Sequence, residues 1–348
     1  MNGLLLFAGL IFFLWIGRSI IIPLLVATFL WYLINAISAY VRKLFPFNNA
    51  DTRQNHLGIA RVFDWIANIL AAGSLCGLIY LFATQVRPMF AELTAAMPAL
   101  QQKITDFGHY LSNYAGIEFD AGMLPNLTRM ATNMGASVAG IATTIGMVIV
   151  YLLFMFIEQT TFNKKFTALF PNKNKSKKMR YILDSIDENM KKYLFMKTLL
   201  SAATGLLSFF WLQAIGLEFA GVWAFIVFVT SYIPTIGAIV ACGLPIIFSL
   251  VTAPTLQQPI LTAAGLIGLQ ILFGNILEPK LTGSTLNLST LAILINLVFW
   301  GMIWGVAGMF FSVPLLVATF IITAQFDSTR WIAVLLSADG KIPDKRDE

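Results

Sequence analysis

Glu278 and Lys280 are the residues best placed for chemistry, one on each side of Pro279 in Gly274-Asn275-Ile276-Leu277-Glu278-Pro279-Lys280-Leu281-Thr282-Gly283. Residues 259–277 before this segment and 288–325 after it are almost wholly apolar. A charge near a bilayer centre costs roughly 2.5–3.5 kcal/mol on insertion scales, and a proline removes a backbone donor, so the cluster is expected to line protein or water. A carboxylate there can bind and release a proton or a monovalent cation, because burial favours its neutral form and a nearby cation its charged form. Lys280 is the nearest partner in sequence, but residues two apart on a helix do not face each other, so only a break at Pro279 would join them. Asn275, Gln270, Tyr232 and Thr235 add neutral hydrogen-bonding groups. The competing reading makes Glu278 and Lys280 a loop at the membrane surface, where charge needs no function.

The rest of the chain offers little other chemistry. His56 and His109 stand alone, and Cys76 and Cys242 lie far apart inside apolar runs, without the companions of a metal or disulfide motif. No glycine-rich phosphate loop ending in Lys-Ser/Thr and no nucleophile constellation is present, so neither an enzyme nor an ATP-driven pump is expected, and no cofactor or metal.

The elements that position the cluster follow from composition. Of 348 residues 58% are hydrophobic and only 11% charged, with a mean hydropathy of +0.77, far more apolar than a soluble domain. The fold class is therefore all-α, a polytopic helical membrane protein whose first partner is the lipid bilayer. The net charge of +6 is what membrane insertion requires of loops beside apolar spans, and no nucleic acid need be invoked.

Residues 1–84 read as N-terminal transmembrane segments. Run 3–17 is broken at Gly17-Arg18-Ser19, run 20–41 carries Pro23, a polar loop covers 42–61, and a third span covers 62–84. The first run lacks a basic start and a small-residue cleavage site, so it is expected to stay in the mature protein, as one arm of a tight helical hairpin or as a tilted anchor. Gly73 and Gly77 would let another helix approach closely. Residues 85–136 read as an extracytoplasmic amphipathic helical region: Phe90, Leu93, Met97, Leu100, Ile104, Phe107 and Leu111 share one helical stripe. That stripe suits a surface helix on the bundle or the membrane, or a coiled-coil-like contact between subunits.

Residues 137–157 form a further span, and 158–197 a basic cytoplasmic linker helix. The linker carries ten Lys/Arg against four Asp/Glu, a surplus of six that equals the net charge of the chain, and the positive-inside rule places it in the cytoplasm. Its lysines fix topology, and each can also attract anionic headgroups by roughly 1 kcal/mol. Met179, Ile182, Leu183, Ile186, Met190, Tyr193 and Leu194 give it one apolar face.

The C-terminal transmembrane region spans 198–326, followed by a polar tail, 327–348. Two of its apolar stretches exceed an ordinary span: 219–252 is broken at Ser231-Tyr232-Ile233-Pro234-Thr235-Ile236-Gly237, and 288–325 contains Gly301, Gly305, Gly308 and Pro314. Each can be a single span, a broken span or a re-entrant hairpin. Discontinuous membrane helices expose carbonyls and amides that hold ions or polar solutes, whereas a proline alone can simply kink a helix.

Three ordered motifs carry a resemblance: Tyr232-Ile233-Pro234-Thr235-Ile236-Gly237-Ala238; Asn275 to Gly283; and Phe299-Trp300-Gly301 through Trp304-Gly305-Val306-Ala307-Gly308-Met309 to Val313-Pro314-Leu315. Their order and spacing resemble the autoinducer-2 exporter (AI-2E) family of bacterial membrane proteins. The resemblance implies about eight transmembrane segments, energy from an ion gradient, assembly into a homo-oligomer, and a place in the bacterial inner membrane. It implies export of a small polar signal of the autoinducer-2 type, with monovalent cation/proton antiport as the alternative. A passive pore or an oligomeric scaffold is the reading from another class. The site expected from residues and resemblance together comprises Glu278, Lys280, Asn275, Pro279, Tyr232, Pro234, Thr235, Gly237 and Gln270.

Overall fold

Apolar runs of this length become helices because, away from water, a helix satisfies its own backbone groups. The computed structural model describes residues 2–44, 73, 84, 88, 91–103, 105–106, 145–159, 161–282 and 287–342. Among these no strand occurs, and the one β-bridge joins Leu288 to Ser337, so the fold is all-α. The expected loop 42–61, the span 62–84 with its Gly73/Gly77 pair and most of 85–136 lie outside the described residues. The chain forms two compact units: Met1–Cys76, Thr144–Lys197 and Lys280–Glu348 make the first, Gly77–Thr143 and Thr198–Pro279 the second.

In the first unit, helices Asn2–Ile16 and Arg18–Leu44 run on through Gly17, whose N–H bonds the Phe13 carbonyl at 2.8 Å while its own carbonyl accepts from Ile21 at 2.9 Å. The chain therefore bends there without reversing, and no tight hairpin forms. The basic stretch begins with a short helix, Phe162–Leu169, and continues as Lys173–Ala214, a 42-residue helix in which linker and following span are one continuous element. The apolar face read from its sequence is used: Ile182, Met190, Tyr193 and Leu194 are buried with Val313, Val317 and Ile321, and Met179 and Ile186 pack beside them.

The run Thr290–Ala324 is long enough to cross a bilayer by length alone, but it reverses at Gly305 (φ 63°, ψ −139°), a backbone conformation open essentially to glycine. Contacts pair the legs antiparallel. Asn296 Nδ2 donates to the Ser312 carbonyl (2.6 Å), and Trp300 Nε1 donates to Asn296 Oδ1 (3.1 Å). A Cβ at Gly308 would run into the Trp300 carbonyl. At 1.5 Å per residue the legs are about 22 and 28 Å long, short of a hydrocarbon core of about 30 Å, which makes this stretch a helical hairpin. Its tip docks on the N-terminal helix, where Trp304 Nε1 donates to the Leu14 carbonyl (3.0 Å).

The tail folds back on the hairpin's start through Asn287, whose Nδ2 donates to Asp339 Oδ1 (2.7 Å) and to the Lys341 carbonyl (2.8 Å). The Asn287 hydrogen bond, then that from the Lys341 N–H, hold the Asp339 carboxyl below the usual carboxylate range. A lowered folded pKa means that this contribution is complete above the ordinary carboxylate pKa and lost as pH falls through the depressed value. Hydrogen exchange should therefore show the Ala338 amide, bonded to the Asn287 carbonyl at 2.9 Å, protected at neutral pH and opening in that acid window before the helices do.

The second unit is built on another hairpin. Ala220–Thr230 and Ile236–Thr252, about 16 and 25 Å long, reverse through Ser231–Thr235. A Cβ at Gly237 would collide with the Thr230 carbonyl, which is how closely the legs meet. Val222, Trp223, Ile226 and Val227 of the first leg, Ala241 and Phe248 of the second, Leu212 and Leu266 form its core, and Leu93 and Met97 are buried in it. The amphipathic stripe of 85–136, as far as it is described, thus packs on its own chain.

Candidate functional site

The apolar helix beginning at Gln257 changes winding where its sequence turns polar. Gln257–Gln270 is α-helical, Ile271–Leu277 is π-helical, and Glu278–Thr282 is α-helical again. The Glu278 N–H reaches back five residues to the Phe273 carbonyl, as a π turn requires. Two local causes act together. Gly274 and Asn275 are weak helix formers, and Pro279 lacks the N–H that an α-helix would offer the Asn275 carbonyl. The wider winding re-aims the side chains after it, and π turns inside α-helices are frequent at functional sites.

Three of the expected groups lie in or beside the π segment: Gln270 just before it, Asn275 within it and Glu278 just after it. The Gln270 amide lies over Gly274, where an added Cβ would be 3.2 Å from its Nε2. Asn275 is exposed, Glu278 is half-buried three residues later, and Pro279 and Lys280 are exposed. The chain stays helical through Pro279, so the break lies before Glu278, and Lys280, two positions on, points away from the carboxylate. At the α-helical rise Glu278 is about 30 Å from Gln257, near one end of a bilayer-length helix. No residue of Ile271–Leu277 is buried, and Ile271, Leu272 and Ile276 are exposed along with Asn275. Over 219–326 Glu278 is nonetheless the only acid and Lys280 the only base.

Tyr232, Pro234, Thr235 and Gly237 belong to a different structure, the reversal of the Ala220–Thr252 hairpin. Tyr232 is buried and its hydroxyl donates to Thr198 Oγ1 (2.9 Å), tying the turn to the long basic helix. Thr235 takes φ 59° and ψ −61° to make the turn, and Gly237 lets the second leg leave against the Thr230 carbonyl. These four residues therefore shape a tip. Thr198 and Asn296 have structural parts that the sequence alone does not signal, because the partner of each is 34 or 16 residues away.

An open groove of about 500 Å³ lies along the same unit, between Leu207, Phe210 and Trp211 on one helix and Gly265, Gly268 and Leu272 on another. Its walls are hydrocarbon and one indole whose Nε1 already donates to the Leu261 carbonyl (3.0 Å), so it has nothing with which to recognise a polar solute. Among the described residues no group of His, Cys, Asp and Glu could hold a metal ion.

Comparison with known proteins adds a family. The sequence model described as AI-2E family transporter matches residues 4–328. The chain is 32% identical over 254 residues to the AI-2 transport protein TqsA of Escherichia coli strain K12, covering 72% of this chain and 70% of that protein. It is 28% identical over 293 residues to a putative transport protein of Haemophilus influenzae, covering 79% and 82%. It is 26% identical over 302 residues to the putative transport protein YhhT of E. coli K12, covering 86% and 82%.

Proposed function

Since the chain belongs to the AI-2E family of transporters and is a multi-pass membrane protein, we propose that it exports a small polar solute of the autoinducer-2 type across the bacterial inner membrane, coupled to protons or sodium. One observation supports the reading: a π segment interrupts an otherwise apolar, bilayer-length helix between Gln270 and Glu278, with Asn275 exposed inside it. The neutral amides suit the hydroxyl and carbonyl groups of a polar solute. Glu278 takes and yields the coupling ion at one mouth of the path, where bulk water is in reach. Tyr232, Pro234, Thr235 and Gly237 hold the hairpin tip that narrows the way. The apolar side of the same turn, with Ile271, Leu272 and Ile276 exposed, is closed in the membrane by lipid or by a second copy in a homo-oligomer.

Monovalent cation/proton antiport stays as the second reading because a single carboxylate in 108 residues is what it would need. Proteoliposomes separate these. Export coupled to protons predicts accumulation of solute against its own gradient when a pH gradient is imposed, abolished by a protonophore. Antiport predicts that sodium alone collapses the pH gradient with no organic solute present. A pore or scaffold accumulates nothing, and that result would overturn the proposal.

A further inference from the structure

A strongly basic stretch of the sequence lies outside the proposed transport site. From residue 159 to 183 there are seven Lys/Arg and no Asp or Glu. The segment forms an elbow: helix Phe162–Leu169, the corner Phe170-Pro171-Asn172, and the start of Lys173–Ala214. Lys164, Lys165, Lys177, Lys178 and Arg180 are exposed on it. Aromatic rings place two of these cations. The Arg180 guanidinium lies 5.0 Å from the centre of Phe166, and Lys178 Nζ lies 4.9 Å from that of Phe326. A cation stacked on a ring is held in position while its N–H groups stay directed outward.

Charge alone would suit any anion, but the short helix carries a second signal. Phe162, Phe166 and Leu169 share one face, and only Phe166 is buried; Phe162 is 49% and Leu169 73% exposed. Large apolar side chains beside lysines are the pattern of a helix lying in the headgroup layer, its apolar face in the acyl boundary and its cations among the phosphates. A soluble phosphate or acidic protein would leave those two side chains in water. The elbow also directly follows the apolar helix Ile145–Gln159, which holds it close to the membrane plane.

We propose that the elbow from Phe162 to Arg180 binds the phosphate headgroups of anionic phospholipids, with Phe162 and Leu169 entering the acyl boundary. The test uses the full chain purified in a neutral detergent, titrated with short-chain phosphatidylglycerol, short-chain phosphatidylcholine and inorganic phosphate in separate arms. Phosphatidylglycerol should bind saturably and the other two should not. Replacing Lys164→Gln, Lys177→Gln and Arg180→Gln together should weaken that binding on the order of a hundredfold, at about a factor of five per cation. The companion variant Lys164→Arg/Lys177→Arg keeps the charge and should retain binding, and Lys103→Gln, an exposed lysine outside the elbow, should leave it unchanged. Equal affinity of the triple variant and the wild type would overturn the proposal, as would equal binding of phosphatidylcholine. Tight binding of inorganic phosphate would also overturn it.

Discussion

Glu278→Gln is expected to reduce gradient-driven solute efflux from proteoliposomes by at least about a hundredfold, equivalent to about 2.7 kcal/mol of lost coupling. The substitution keeps the size and hydrogen-bonding reach of the side chain but removes the one carboxylate between residues 219 and 326. Because Glu278 is half-buried at the end of a helix and not inside a core, the fold should survive. Gel filtration and thermal melting of the variant should match the wild type. Glu218→Gln, an exposed acid in the turn after the long helix, is the control and should leave efflux intact. Unchanged efflux in Glu278→Gln would remove this carboxylate from the mechanism.

The largest structural effect is expected at Gly308. An alanine there places a methyl against the Trp300 carbonyl and 3.1 Å from Trp304 Cβ, backbone and rigid ring base that cannot swing aside. Relief requires the two legs of the Thr290–Ala324 hairpin to separate. Separation also stretches the 2.6 Å bond from Asn296 to the Ser312 carbonyl. Overpacking of this kind costs about 1–3 kcal/mol, and a strained hydrogen bond adds about 1 kcal/mol. Gly308→Ala should therefore lose about 3 kcal/mol in a thermal or denaturant melt. Gly243→Ala is the contrast: nothing lies within 4 Å of the added methyl, and it should be neutral or stabilising by up to about 1 kcal/mol. A Gly308→Ala melt equal to that of the wild type would mean that the legs do not meet as described.

How much of this was legible in the sequence differs by element. Helices and their packing faces were, because apolar periodicity reports one side of one element: Ile182, Met190, Tyr193 and Leu194 could be read as a stripe and are buried as one. The over-long runs 219–252 and 288–325 were visible as anomalies, and their glycines and prolines marked where each turns. Whether each crosses, breaks or reverses was not legible, because that depends on contacts between residues 8–16 apart, such as Trp300 with Gly308 and Asn296 with Ser312. At the candidate site, Glu278, Asn275 and Gln270 stand out as polar groups in hydrocarbon, and they fall within nine residues in and beside the π segment. The π winding did not stand out, since Gly-Asn followed four residues later by Pro is equally a kink or a helix end. Tyr232 joins them in the sequence only as a further polar group and as part of another motif; its partner, Thr198, sits between Lys197 and an apolar stretch of the long helix, where nothing marks it as the acceptor.

Reactivity at Asn275 tests most directly whether the π turn faces the solute's path. With Cys76 and Cys242 replaced by serine, Asn275→Cys in sealed proteoliposomes is treated with a membrane-impermeant thiol reagent, with and without saturating solute. The turn is predicted to react readily from one side of the membrane only, and the solute to slow that reaction at least tenfold. A thiol that stays unreactive from both sides, or one whose rate the solute does not change, would place Asn275 against lipid and contradict the account.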